Sequence, residues 1–167
     1  MCGITGIFDT SGSNVSKKIL RKMSDTIIHR GPDGEGFYVD GPIGLGHRRL
    51  AIIDLTSKAH QPMNSSNGRY TITYNGEIYN FKELRDELEI LGHVFKSSSD
   101  TEVLLASFCE WGIKSVLKFN GMFAFAIWDK YKKELKLVRD RYGIKPLYFI
   151  KKGPLLIFAS EIKAILK

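Results

Sequence analysis

Cysteine is scarce in this chain, and long apolar runs are absent. The two cysteines, Cys2 and Cys109, cannot build a disulfide framework, and their spacing matches no zinc-binding pattern. No apolar run approaches the roughly 20 residues that a membrane-spanning helix needs, and the first residues lack the basic-then-apolar layout of a signal peptide. These absences argue against a disulfide scaffold and a membrane protein. We expect a cytoplasmic location and no membrane partner.

The composition is that of one globular domain with a basic charge balance. The 167 residues are 43% hydrophobic and 26% charged, with a formal net charge of +7. A basic chain raises the hypothesis of nucleic-acid binding. However, the lysine-rich runs are residues 16–22 and 130–136, which are typical of an outer helix face and a hairpin turn, and no RNA-recognition signature accompanies them. We expect a single domain over residues 1–167 and no nucleic-acid partner.

Strand patterns dominate the chain. Residues 4–8 are apolar and interrupted by glycine, as in a buried strand, whereas residues 123–128 alternate large and small side chains, as in a strand packed on both faces. Further strand patterns lie between short turns at residues 135–139, 148–149 and 155–159. Strands joined by short turns are mostly antiparallel.

Helix patterns occur near the start, in the middle and at the end. Residues 16–28 are amphipathic, and another helix is expected from about Asp100 to Gly112. Ser160 can cap a last helix over residues 161–166. Helices placed in this way would cover the sheets, so the pattern predicts a layered α+β fold.

One more helix is expected directly after residue 80. Asn80 and Glu83 fit a capping box, and Gly92 suits the helix end. The buried face of this helix should carry three leucines: Leu84, Leu88 and Leu91.

Cys2 is the first residue that can carry chemistry. Removal of Met1 would make Cys2 the N-terminus, with a thiol and a free α-amine on adjacent carbons. The ordinary pKa of that amine is about 7.7–8.0, and an N-terminal residue that uses its own amine as base is a recognised activated nucleophile. The structural alternative is a small apolar residue in a first strand.

Asn75 and Gly76 are candidates for stabilising an oxyanion. An asparagine amide and the N–H of the next glycine can converge on one developing negative charge. The same pair is also the commonest two-residue hairpin turn. The helix pattern that starts soon afterwards weakens the turn hypothesis.

Three charged residues could hold the charged ends of a substrate. Arg49, at the end of a predicted buried strand, could clamp a carboxylate with two hydrogen bonds or be an exposed strand end. Its neighbour Arg48 should point the other way if the segment is extended. Asp100 could hold an ammonium group, although a helix cap or first-turn acid is the commoner role. Glu77 could serve the same cation or support the loop.

Two other patterns favour different chemistry only weakly. The glycine-rich turn over residues 30–36 lacks the lysine and the following helix of a phosphate-binding loop. Four histidines allow a cysteine–histidine pair, but none lies in a recognised local signature. They are His29, His47, His60 and His93.

A series of motifs runs through nearly the whole chain. In order they are Cys2-Gly3-Ile4, Arg30-Gly31-Pro32-Asp33-Gly34, His47-Arg48-Arg49-Leu50-Ala51-Ile52-Ile53-Asp54, Gln61-Pro62-Met63, Asn75-Gly76-Glu77-Ile78-Tyr79-Asn80, Ser99-Asp100-Thr101-Glu102, Gly121-Met122-Phe123-Ala124-Phe125, Arg139-Asp140-Arg141, Gly143-Ile144-Lys145-Pro146-Leu147-Tyr148 and Ala159-Ser160-Glu161-Ile162-Lys163-Ala164. This series closely resembles the N-terminal glutaminase domain of glutamine-hydrolysing asparagine synthetases.

The resemblance implies a class II glutamine amidotransferase, which is an N-terminal-nucleophile hydrolase. Its fold would be a four-layer α/β/β/α sandwich of two antiparallel sheets. Cys2, freed of Met1, would attack the side-chain amide of L-glutamine, with Asn75 and the Gly76 N–H as the oxyanion hole. An uncleaved Met1 would turn the Cys2 amine into an amide, which cannot act as base.

The resemblance also implies a substrate pocket. Arg49 would bind the substrate α-carboxylate, and Glu77 and Asp100 would take the α-ammonium group. Backbone groups of Ile52 and Ile53 would line the same pocket.

Partners follow from the resemblance as well. No cofactor is expected in this chain; ATP and Mg²⁺ would serve only an ATP-dependent synthetase domain or subunit, whose phosphate-binding loop these residues lack. That partner would use the ammonia to make asparagine. Ammonia supply to another carboxylate acceptor and a non-catalytic glutamine-binding or docking module are the open alternatives, and a homo-oligomer also stays open.

Overall fold

Two antiparallel sheets form the centre of the protein, for which a computed structural model describes residues 1–167. In chain order the strands are β1 (Gly3–Asp9), β2 (Gly34–Asp40), β3 (Ile43–Arg49), β4 (Met63–Asn64), β5 (Tyr70–Ile78), β6 (Gly121–Asp129), β7 (Glu134–Arg139), β8 (Tyr148–Lys152) and β9 (Leu155–Ala159). One sheet has the order β2-β3-β1-β9-β8 and the other the order β4-β5-β6-β7.

Four helices cover the outer faces of the two sheets. They are α1 (Lys17–Asp25), α2 (Phe81–Ile90), α3 (Asp100–Trp111) and α4 (Ile162–Ile165). The first and last pack on the five-stranded sheet, whereas α2 and α3 pack on the four-stranded sheet. The expected α/β/β/α sandwich of two antiparallel sheets is confirmed. None of the helices combines the length and the apolar content that crossing a membrane requires.

Strand β6 shows why the layers can stack. Phe123, Phe125 and Ile127 point into the core beneath α2 and α3. The alternate residues Ala124, Ala126 and Trp128 point into the core between the sheets. Because two of those three inward residues are alanines, the facing sheet can approach closely, and the alternation of large and small residues in the sequence is explained.

The end of β9 anchors the start of the chain. Ser160 Oγ accepts a hydrogen bond from the Ile4 N–H at 3.0 Å, and the Ser160 N–H donates to the Ile4 carbonyl at 2.9 Å. The prediction that Ser160 caps the last helix is therefore wrong, because its hydroxyl is engaged in holding β1. This contact fixes the strand that follows Cys2.

The capping box expected at Asn80 is also absent. The Asn80 amide donates to the Lys118 carbonyl and its oxygen accepts from the Asn120 N–H, so the side chain joins two loops instead. Leu84 and Leu88 are buried as expected, but Leu91 is 51% exposed. Gly92 does end the helix, in a left-handed conformation with φ of 92° that glycine adopts readily.

Candidate active site

A cavity of about 190 Å³ lies where the first residues and the ends of β3 and β5 meet the start of α3. All eight residues proposed from the sequence line it, together with several that the sequence did not single out. The eight are Cys2, Arg49, Ile52, Ile53, Asn75, Gly76, Glu77 and Asp100. Residues far apart in the chain are thus brought to one place.

Cys2 is held by backbone contacts on both of its sides. Its thiol lies 3.3 Å from the Leu50 nitrogen, which donates to it, and 3.6 Å from the Leu50 carbonyl oxygen. Arg30 Nε donates to the Cys2 carbonyl at 3.0 Å. Burial raises the pKa of the thiol, while the Leu50 N–H and the positive N-terminus oppose that rise. The thiol is therefore fixed in place but not strongly activated while Met1 is attached.

Asn75 and Gly76 lie inside strand β5 and do not form a turn. They pair with Ala124 and Phe123 of β6, so the hairpin hypothesis is wrong. A Cβ atom on Gly76 would run into the backbone of β6, which explains the glycine by close approach of two strands. The following helix begins only after the strand has ended at Ile78.

The Asn75 side chain carries an unused donor. Asn75 is 1% exposed, and its buried Nδ2 has no hydrogen-bond partner. A buried unsatisfied polar group costs about 1–3 kcal/mol, so such a group calls for an explanation. A ligand in the cavity that accepts a hydrogen bond would supply one.

Arg49 brings an unpaired positive charge to the cavity. It is 8% exposed, its guanidinium donates to the Asp54 backbone carbonyl, and no carboxylate of the chain forms an ion pair with it. Arg48 points the other way, as expected, and pairs with Asp25 and Glu35. A buried guanidinium without a carboxylate is suited to bind one from a ligand.

Two aspartates hold the segment that carries Arg49. Asp54 accepts hydrogen bonds from Thr56 and from the Ser98 N–H just before α3, and these bonds lower the pKa of its carboxyl to about 2. Asp33 accepts from the Ala51 N–H at 2.9 Å. The glycine-rich turn over residues 30–36 therefore supports the cavity wall.

Asp100 is the first residue of α3, and Ser99 is the N-cap whose side chain accepts from the Glu102 N–H. The Asp100 carboxylate accepts from the Tyr74 hydroxyl at 2.7 Å and the Ile78 N–H at 3.1 Å. Burial raises the pKa of this carboxyl, and the two bonds counteract that effect. Asp100 is thus a helix first-turn acid and also a wall of the cavity.

Glu77, Ile52 and Ile53 form the outer part of the cavity. Glu77 is exposed and its carboxylate has no hydrogen-bond partner in the chain. Ile52 and Ile53 are 72% and 40% exposed, which places them at the mouth. The side of the cavity nearest solvent is therefore apolar with one free carboxylate.

His47 is a cavity residue that the sequence did not single out among the histidines. It is 1% exposed, and its Nε2 donates to the Tyr74 carbonyl at 3.1 Å, which links the two sheets next to Asn75. Burial lowers its pKa to about 3, so the ring is neutral. The hydrogen bonds of Cys2 go to Leu50, so the cysteine–histidine pair does not form. The sequence did indicate that His47 faces the cavity, because residues two apart in a strand share a face and Arg49 follows two positions later.

Lys145 is the second cavity residue that went unnoticed. It is 5% exposed, and its ammonium group donates to the Met1 thioether sulfur at 3.1 Å. No local pattern marks it as a site residue, since it lies in the loop after β7, far along the chain from Cys2. The chain contains no group of three or more histidine, cysteine, aspartate or glutamate side chains placed to hold a metal ion.

Comparisons with known proteins identify the family of the chain. The model of the glutamine amidotransferase domain family matches residues 1–167. Asparagine synthetase [glutamine-hydrolyzing] 3 of Bacillus subtilis is 46% identical over 99% of this chain, which covers 27% of that protein. Asparagine synthetase [glutamine-hydrolyzing] 2 of the same organism is 44% identical over 99% of the chain, covering 22% of that protein. The chain thus spans about a quarter of the length of these relatives.

A solved structure extends the likeness to three dimensions. The chain superposes on the glutamine phosphoribosylpyrophosphate amidotransferase of B. subtilis with a TM-score of 0.83 and 26% identity, covering 98% of this chain and 43% of the other. The family match and the superposition thus define a glutamine amidotransferase domain with the N-terminal-nucleophile fold. The chain belongs to the class II glutamine amidotransferase family, and along its whole length it is homologous to the N-terminal part of glutamine-hydrolysing asparagine synthetases.

Proposed function

We propose that residues 1–167 act as one glutaminase domain, which releases ammonia from L-glutamine by means of an N-terminal cysteine. The observation that carries this proposal is the unpartnered, buried Asn75 Nδ2 in the same cavity as the Cys2 thiol and the unpaired Arg49 guanidinium. The thiol can attack the amide carbon of a substrate, and the unpartnered donor can stabilise the oxyanion that forms. The guanidinium can bind a carboxylate of the same substrate.

The nucleophile would be Cys2 after removal of Met1. The free α-amine takes the thiol proton, and the sulfur forms a bond to the side-chain carbonyl carbon of glutamine. The C–N bond then breaks, and ammonia leaves with the proton that the amine returns. Water adds to the resulting γ-glutamyl thioester, the C–S bond breaks, and glutamate and the free thiol are released.

The oxyanion of both tetrahedral intermediates would be stabilised by Asn75 and Gly76. The Asn75 amide is held in place by burial and need not break a bond within the protein before it donates. Donors that are already aimed and desolvated lower the barrier because they need no reorganisation during the reaction.

The charged ends of glutamine would meet groups of opposite charge. Arg49 would bind the α-carboxylate, and Asp100 with Glu77 would bind the α-ammonium group. Backbone groups of Ile52 and Ile53 would border the substrate at the cavity mouth. Asp100 accepts two hydrogen bonds from the chain, which hold its carboxylate in position for a third.

The ammonia would go to an ATP-dependent synthetase domain for asparagine synthesis. The asparagine synthetases similar to this chain are about four times its length, which is consistent with a further domain in those proteins. In this proposal ATP and Mg²⁺ belong to that domain, and the glutaminase step needs neither. Reducing conditions, as in the cytoplasm, would keep the thiol free.

The test is an ammonia-release assay on chain whose N-terminus has been determined by mass spectrometry. We expect the processed protein to release ammonia from glutamine, and we expect Cys2→Ala to abolish release while glutamine still binds. Cys109→Ala is the matched control, because Cys109 is packed against the core beneath α3 and lies outside the cavity.

Two outcomes would contradict the proposal. Unchanged turnover in Cys2→Ala would exclude Cys2 as the nucleophile. A processed chain that binds glutamine without releasing ammonia would identify a glutamine-binding module. The acceptor is tested separately, by adding aspartate, ATP and a synthetase domain and measuring asparagine.

A further inference from the structure

Lys145 places a positive charge beside the N-terminus, and no step of the proposed reaction uses this charge. Only 5% of this residue is exposed, and it lines the cavity together with Cys2. Its ammonium group donates to the sulfur of Met1, a weak acceptor, and no carboxylate of the chain forms an ion pair with it. Burial of a cation without a carboxylate partner costs folding free energy, so we expect the charge to have a function.

The loop around Lys145 is held by bonds that do not involve its ammonium group. The Asp140 carboxylate accepts from the backbone N–H groups of Phe123, Ile144 and Lys145, and Arg139 Nε donates to the Lys145 carbonyl at 2.7 Å. The backbone is therefore fixed to β6 independently of the side chain. The fixed backbone directs the Lys145 side chain toward the N-terminus. The contact of its ammonium group with Met1 is not needed to hold the loop.

Removal of Met1 changes what the Lys145 ammonium group faces. Met1, whose sulfur accepts from the Lys145 ammonium group, is covalently joined to the Cys2 nitrogen, and all three residues line the same cavity. The cation therefore lies in the part of the cavity that contains the N-terminus. With Met1 gone, its only hydrogen-bond acceptor in the chain is lost, and the new Cys2 α-amine becomes its neighbour.

Charged groups approach this corner of the cavity from every side. Asp100 from α3 and Glu77 from β5 are negative, whereas Arg49 from β3 and Arg30 from the turn before β2 are positive. Burial and Arg30 lower the pKa of Lys145, while Glu77, Cys2 and Asp140 raise it. The two cavity carboxylates by themselves would favour a charged, protonated α-amine, which is useless as a base.

We propose that Lys145 is a positioning residue for the N-terminal cysteine: in the processed chain its fixed positive charge keeps the Cys2 α-amine uncharged and the thiol ready to ionise. This inference rests on the proposed function, in which that amine is the base. A like charge nearby disfavours the ammonium form, so the cation opposes the effect of Glu77 and Asp100. The amine can then accept the thiol proton at a lower pH.

The experiment compares pH profiles of processed proteins. Lys145→Met removes the charge with little change in size, Lys145→Gln does so with a polar group, and Lys145→Arg retains the charge. Lys18→Met is the matched control, because Lys18 is exposed on α1 and forms no ion pair. Two quantities are measured: kcat/KM for ammonia release, and the rate of Cys2 alkylation by iodoacetamide, read by mass spectrometry on the N-terminal peptide.

We expect the acidic limb of both profiles to move up by about one pH unit in Lys145→Met and Lys145→Gln. Lys145→Arg should return it to within a few tenths of the wild-type value, and Lys18→Met should not move it. Because the thiol and the amine titrate together, the midpoints belong to the pair.

The proposal is overturned if the charge-removing variants leave the alkylation midpoint unchanged, or if Lys145→Arg moves it as far as Lys145→Met. The alkylation profile does not depend on turnover. If the processed wild-type protein releases no ammonia, the proposed function fails, while the alkylation profile still decides the role of Lys145. If Lys145→Met does not fold, Lys145→Gln supplies the same comparison.

Discussion

Replacement of Asn75 by alanine separates the contribution of this residue to the reaction from its contribution to folding. The Asn75 amide is 1% exposed, and its Nδ2 has no partner in the chain. If this donor exists to stabilise an oxyanion, the resting protein bears a cost that is recovered only during turnover. The variant should therefore lose activity without losing stability.

The magnitudes differ enough to be measured separately. Removal of one oxyanion-hole donor costs about 10²–10³ in kcat, which corresponds to about 2.7–4 kcal/mol. An unsatisfied buried donor costs about 1–3 kcal/mol, so its removal returns part of that amount. The space left by the shorter side chain joins an existing cavity and does not create a sealed void. We expect the free energy of unfolding to stay constant or to rise by about 1 kcal/mol.

The assay combines steady-state ammonia release with urea denaturation of the same preparations. Asn75→Asp adds a second comparison of nearly unchanged size, in which a carboxylate replaces the donor and should slow the reaction at least as much. Asn67→Ala is the control with the opposite signature. The Asn67 side chain accepts hydrogen bonds from Ser65 Oγ and the Arg69 N–H in the loop before β5, so its loss should lower stability by about 1 kcal/mol and leave kcat unchanged.

Two results would refute this reasoning. A kcat within threefold of the wild-type value in Asn75→Ala would show that the amide does not stabilise the transition state. A loss of more than about 2 kcal/mol of stability would show that the side chain is a structural contact, since an unpartnered donor cannot supply that much. The first result would leave the buried amide without a role in the reaction, and the second would show that its roles in catalysis and in folding are not separate.

Two further predictions concern charges in and outside the cavity. Arg49→Lys should raise KM for glutamine about tenfold with little change in kcat, because a point charge replaces a guanidinium that forms two hydrogen bonds. Steady-state kinetics test this prediction. A fall in kcat at constant KM would contradict it. Outside the cavity, burial would raise the pKa of Asp129, but hydrogen bonds from Arg69 and nearby backbone groups lower it to about 2. A lowered carboxyl pKa stabilises the fold above about pH 4, and this stabilisation is lost as the pH falls toward 2. In Arg69→Met the free energy of unfolding, measured by urea denaturation at pH 5 and pH 3, should therefore change less with pH, and equal slopes in both proteins would contradict the assignment.

Much of the secondary structure could be predicted because it rests on local patterns. The alternation in residues 123–128 reports the two faces of β6, and the apolar spacing in residues 16–28 reports α1, although the helix ends earlier, at Asp25. Helix ends were predicted less well. Asn80 and Ser160 have the right chemistry for caps, but tertiary partners engage both side chains more favourably.

Part of the candidate site could likewise be predicted from local patterns, and part could not. The chemical types of Cys2, Arg49 and Asp100 suggested a nucleophile and two anchors, and the order of motifs placed them in a family. Whether Asn75 and Gly76 form a turn or a strand could not be decided locally, because that depends on pairing with β6 almost fifty residues later. Lys145 carried no local signal that distinguishes it from the other lysines, and the only local sign at His47 was its position two residues before Arg49 in a strand pattern.

The sequence by itself determined which side chains can carry the chemistry, the α+β class and the family. Those properties follow from residue types, their spacing and their order along the chain. Only the tertiary structure decided that the buried Asn75 Nδ2 has no hydrogen-bond partner and that Arg49 has no carboxylate partner. It also decided that Lys145 faces the N-terminus. The Cys2–Leu50 and Met1–Lys145 contacts join residues 48 and 144 positions apart. Such contacts depend on how the two sheets stack, and burial in that stack raises the pKa of the Cys2 thiol and lowers the pKa of Lys145.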